Sequence, residues 1–230
     1  AIAAEGSQIH RGSTAAAVRA IRHFSKYIGT GLVAAAVNTF AVYAMLLMLA
    51  VVLAPHTYGL VAMTAALLGV PVTLLIPAMR QIIIRDVGKV VRAGGAPNQL
   101  TAGLRRYLWT CLPLTLVGSA GAWVLGPMLG VPVLGAQWAE AAPLVRPLAV
   151  AAGAQLIVSP LGLLLPLVGA VGRQLWVDVW RGGCTAAWGG YAHRTGASSG
   201  TIVIGCAVAT VLGYAEMHVV VSRTLSRRKE

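Results

Sequence analysis

Long apolar runs, separated by short stretches in which lysine and arginine collect, constrain this chain more than any other feature. A run of about 20 apolar residues makes an α-helix long enough to cross hydrocarbon. In lipid only helices and closed barrels satisfy their own backbone hydrogen bonds. Of the 230 residues 57% are hydrophobic and 10% charged, whereas soluble domains carry roughly 25% charged residues. A soluble fold has no way to hide so much apolar surface. Ala, Leu, Val and Gly dominate while Phe and Tyr are few, which suits helices that approach through small residues rather than aromatic-girdled barrel strands. The expected fold is an all-α membrane protein of about six transmembrane helices.

The apolar stretches place the expected spans at about 28–53, 58–84, 107–130, 143–171, 174–191 and 201–221. Residues 1–18 form a polar N-terminal segment or linker, 19–225 the transmembrane unit, and 222–230 a basic tail. Pro71 and Pro77 are expected to kink the second span, and Pro147, Pro160 and Pro166 to bend or break the fourth. Between the second and third spans, Arg85 to Arg106 reads as the longest cytoplasmic loop, with Gly94, Gly95 and Pro97 as breakers.

The net charge of +12 raises the question of nucleic acid, but that partner needs basic residues gathered on one water-exposed face. Here they lie between apolar runs, so no nucleic-acid partner is expected and membrane lipids are. Fifteen Lys and Arg fall on one side of the expected topology, against only Arg146 and Arg194 on the other, with Arg181 inside a span. The positive-inside rule then puts both termini in the cytoplasm. Cys111, Cys184 and Cys206 are odd in number, lie in apolar segments and lack metal-type spacing, so no metal or cofactor is expected. The chain opens with Ala1 rather than Met and shows no signal-peptide pattern, from which a fragment is expected.

Charged residues at membrane depth usually face a bundle interior or a watery cavity. Asp178 and Arg181, three apart, share a helix face and form either part of a cation-lined pathway for an anionic substrate or an internal ion pair near the cytoplasmic interface, with Arg181 snorkelling. Arg146 and Arg80 join the candidate pathway set, against the plainer readings of a snorkelling side chain and a topology determinant. Glu216 is the candidate for ion or proton coupling, or else an interfacial carboxylate paired with a tail arginine. Gly196 to Gly200 matches G-x-S-x-G, yet it joins two apolar stretches instead of following a strand, and reads as a flexible turn. Gly126 and Gly130 make a G-x-x-x-G close-packing pattern.

Three stretches carry a resemblance. Pro55-His56-Thr57-Tyr58-Gly59-Leu60 resembles a "p-x-x-y-G" element, Leu134 to Leu144 an "l-f-G-x-x-W-x-x-A-x-x-l" turn, and Gly169 to Arg173 an "ll-x-a-x-G-r" helix end. All three resemble polysaccharide flippases of the multidrug/oligosaccharidyl-lipid/polysaccharide exporter (MOP) superfamily, which serve polysaccharide and lipopolysaccharide O-antigen biosynthesis. The resemblance implies one six-helix lobe, most like the carboxyl-terminal half, with a missing N-terminal lobe or a second copy as partner. It implies a transporter, not an enzyme, in the bacterial inner membrane. The transporter would flip an undecaprenyl-pyrophosphate-linked oligosaccharide from inner to outer leaflet by alternating access. A multidrug exporter of the same superfamily would want intramembrane carboxylates, of which only Asp178 and Glu216 are present. A membrane-embedded enzyme would want acidic or His-containing loops, and an assembly subunit is the remaining alternative.

Overall fold

The computed structural model describes residues 14–93 and 96–226. Of the expected polar segment 1–18, residues 1–13 lie outside them, as do the tail cations Arg227, Arg228 and Lys229 and the side chains of Arg19, Arg22, Lys26 and Arg92, while residues 14–18 already belong to a helix. The chain divides into two units, Ala1–Ala36 and Val37–Glu230. The first contributes the opening of helix α1, and the second holds everything that follows here.

Among the described residues seven α-helices succeed one another: α1 (Thr14–Val52), α2 (Pro55–Arg92), α3 (Pro97–Leu134), α4 (Trp138–Val158), α5 (Leu164–Leu167), α6 (Val171–Arg194) and α7 (Ser199–Ser226), with a 3-10 segment, Ser159–Leu163, between α4 and α5. No strand occurs among the described residues. Five stretches within this series, Gly31–Val52, Pro55–Val90, Asn98–Leu134, Trp138–Leu167 and Ser199–Ser226, are long and apolar enough to cross a membrane. Large apolar side chains such as Val51, Leu74, Val117 and Val133 point outward, an exposure that lipid tolerates and water does not. This is the build of a multi-pass membrane protein. Helix α6 does not belong to the apolar five, because Arg173, Asp178, Arg181 and Arg194 interrupt it.

The stretch Arg85 to Arg106 is not a loop. Helix α2 continues to Arg92 and α3 begins at Pro97, since Arg, Lys and Gln are good helix formers that carry a helix on beyond the apolar part. Only the breaker positions separate the two helices, with proline at the first turn of α3 where its missing N–H costs nothing. The break expected in the fourth span is present: α4 gives way to 3-10 geometry at Ser159 and Pro160. Beside the interrupted ladder, the Tyr107 hydroxyl of α3 donates to the Ile157 carbonyl at 2.9 Å, the kind of neighbouring donor a broken membrane helix requires. Gly169, at φ 77°, then closes α5. Its N–H donates to the Pro166 carbonyl, and that of Ala170 to the Leu165 carbonyl, the paired bonds of a Schellman turn.

Two apolar clusters fix which helix ends lie together. Leu53, Val61, Leu144, Ala192 and Ile202 gather the α1–α2 and α6–α7 turns and the first half of α4. His56 and Glu140, 3.6 Å apart, tie the α3–α4 turn to the same end. Val87, Leu100, Leu161, Leu165 and Leu225 gather the α2–α3 turn, the broken helix and the end of α7. Of the described basic side chains, Arg80, Arg85, Lys89, Arg105, Arg106, Arg173 and Arg223 belong to this second end, where Arg173 donates to the Thr224 hydroxyl at 2.9 Å.

Glycines let these helices approach. Gly130 seats the Trp138 indole, whose N–H donates to the Gly126 carbonyl at 3.3 Å, so the G-x-x-x-G pair is a socket for an aromatic ring. The G-x-S-x-G turn is not a loose hinge. Gly196, at φ 70°, ends α6, and the Ser198 hydroxyl accepts the Thr201 N–H at 3.3 Å as the N-cap of α7.

Candidate functional site

Helix α6 rises about 1.5 Å per residue. Arg181, ten residues beyond its first residue in a 24-residue helix, therefore sits about 15 Å from that end. This is close to mid-helix. Its side chain and that of Asp178 are 3% and 0% exposed, and Arg181 Nη2 donates to Asp178 Oδ1 at 3.0 Å. The snorkelling expected of Arg181 does not occur. Buried from solvent, the guanidinium turns to the carboxylate one helical turn away.

Two residues from other helices complete the cluster. Asn38 of α1 donates from Nδ2 to both carboxylate oxygens of Asp178, at 3.1 and 3.2 Å. Tyr214 of α7 lies under Arg181, its ring centroid 4.4 Å from the guanidinium carbon, a stacking that gains strength away from water. Gly213, beside Tyr214, leaves room for the arginine stem, and a Cβ there would come within 2.5 Å of Arg181 Cγ. On the α1 side, Gly182 faces Ala41 and Ala44. Three helices thus close over a charge pair through small residues. The Arg181 Nε is left without a partner.

The arrangement is a clamp. A carboxylate that accepts three hydrogen bonds and a guanidinium stacked on a ring are both compensated, which a buried charge needs. Asn38→Ala is expected to destabilise the folded protein by about 2 kcal/mol, the usual scale for a hydrogen bond to a charged group. Thermal unfolding in detergent measures it, and an unchanged melting temperature would mean that Asn38 does not hold the carboxylate.

Behind Tyr214 lies a cavity of about 150 Å³ among α1, α2, α4 and α7, with Tyr43, Thr73, Gln155 and Thr210 in its wall. Ligand pockets usually span about 300–1,000 Å³, and this space falls below that range. Of the other expected pathway residues, neither Arg146 nor Arg80 bonds to the pair. Arg146 is exposed on α4 with its guanidinium 4.6 Å over the Trp123 ring. Arg80 is half-buried on α2, its Nε unpartnered. Glu216 is half-buried on α7 and forms no ion pair among the described residues. No group of three His, Cys, Asp or Glu gathers among the described residues to hold a metal.

Sequence reasoning paired Asp178 with Arg181 but missed Asn38 and Tyr214. Asn38 carries the one available signal, an amide inside an apolar run. No protein family, curated protein or solved structure matches the chain.

Proposed function

We propose that the chain is one six-helix lobe of a transporter that moves a lipid-linked oligosaccharide, carried on undecaprenyl pyrophosphate, between the leaflets of a bacterial inner membrane. In this reading α6 is the fifth of six crossings, its charges sheltered by α1 and α7, and the arginine-rich end of the helices faces the cytoplasm together with both termini. The observation that supports it best is the α3–α4 turn. Gly135 takes φ 95°, Trp138 fills the glycine socket, and Ala141 and Leu144 are buried. All four positions of the flippase-like turn therefore serve to set α4, the helix that later breaks at Pro160.

The 150 Å³ cavity is too small for a glycan, so the path lies between this lobe and a second one, either an N-terminal half or another copy. Asp178, Arg181, Asn38 and Tyr214 then hold the lobe rigid while it rocks, and Arg146 is the exposed member of the pathway set. The multidrug-exporter reading is weaker because Asp178, the deepest carboxylate, is already bonded to Asn38 and Arg181.

Deleting the gene in the cell that carries it should abolish surface glycan and accumulate the lipid-linked oligosaccharide on the cytoplasmic leaflet. Immunoblotting of surface polysaccharide and accessibility of the lipid-linked pool read the two effects. Unchanged surface glycan would overturn the proposal.

A further inference from the structure

Where α2 and α3 leave their apolar stretches, they enclose a groove of about 670 Å³. Its wall carries Arg85 and Lys89 from α2 and Arg105 and Arg106 from α3, with Asp86 as the one carboxylate and Trp109 at the rim. The four cations are exposed and none is ion-paired among the described residues. Arg85 and Lys89 are four apart on one helix, as are Arg105 and Trp109 on the other, so each pair shares a helix face. The helices meet closely beneath them, a Cβ on Gly103 coming within 3.1 Å of Val87. Four like charges against one carboxylate repel one another unless an anion lies between them.

The surroundings indicate which anion. Arg85 directly follows the apolar run Ile82 to Ile84, and Trp109 is 73% exposed, as expected of an indole at the headgroup level. One turn further along α3, Leu112 and Leu116 are exposed in an apolar ridge. The geometry points to an anionic phospholipid, its phosphate held among Arg85, Arg105 and Arg106 and its acyl chains laid along α3. This site is independent of the transport reading, since any membrane protein with this groove would hold such a lipid.

The full-length chain in detergent, titrated with short-chain phosphatidylglycerol, matched phosphatidylcholine or inorganic phosphate, tests the site by tryptophan fluorescence and native mass spectrometry. Each cation near an anionic headgroup is worth about fivefold in affinity, so three unopposed charges predict roughly a hundredfold preference for phosphatidylglycerol over phosphatidylcholine. The triple change Arg85→Gln, Arg105→Gln, Arg106→Gln should abolish that preference, and the corresponding triple change to Lys should keep most of it at the same melting temperature. Inorganic phosphate should not saturate the groove where the lipid does. Equal binding of the two lipids, a preference that survives the glutamine variant, or inorganic phosphate binding as tightly as phosphatidylglycerol would each overturn the assignment.

Discussion

Arg181→Ala is expected to lower the stability of the folded protein by about 3–5 kcal/mol, because it leaves the Asp178 carboxylate at mid-helix with no opposing charge. Asn38 would remain as a donor, but an amide does not neutralise an anion. The loss is measured as a lowered melting temperature in detergent and a smaller yield of monodisperse protein. The double change Asp178→Asn, Arg181→Met removes both charges and keeps much of the volume, and neutral replacements of buried pairs are often tolerated. It should recover most of the stability and, under the proposed transport function and if the pair only pins helices, most of the glycan export. A stable Arg181→Ala protein would refute the clamp. A stable double variant that no longer exports glycan would return Arg181 to the substrate pathway.

Gly130→Ala is expected to cost about 3 kcal/mol, the upper end for overpacking a filled site. The added methyl would overlap the Trp138 indole, itself 3% exposed and bonded to the Gly126 carbonyl. The ring cannot retreat without giving up that bond and its burial. Trp138 should become accessible to a fluorescence quencher while the melting temperature drops. Gly121→Ala on the same helix is the control, since nothing lies within 4 Å of a Cβ there. It should be neutral or raise stability by up to about 1 kcal/mol through helix propensity. Equal behaviour of the two variants would show that the glycine socket has no steric basis.

Much of the architecture was readable before any coordinates. The apolar runs place six expected spans, of which five coincide with helices able to cross a membrane and 174–191 does not, and the prolines locate the break after α4. Gly135, Trp138 and Ala141 were visible as a turn, though not as a socket and its occupant. Charged residues were the least legible part. Arg85 to Arg106 suggested a loop because polarity was taken for irregular structure, when it marked only the point at which the helices α2 and α3 leave the apolar zone. For Arg181 the sequence offers a pathway residue or an ion pair with Asp178; the pair is present, but the sequence neighbours do not disclose the ring of Tyr214 beneath the guanidinium, which lies buried instead of snorkelling.

Hydropathy and backbone restriction act between neighbours in the chain. The sequence alone therefore determined an all-helical protein with apolar helices of membrane length, the break after α4, and the concentration of basic residues toward one set of helix ends. The tertiary structure decided what its buried charges do. Asn38 and Asp178 are 140 positions apart, and Gly213 makes space for Arg181 from another helix. Such contacts depend on which helix faces pack together, and many similar apolar faces in this chain could have paired. Only the packing shows that Asp178 and Arg181 close a clamp between helices and that four basic side chains line one groove between α2 and α3.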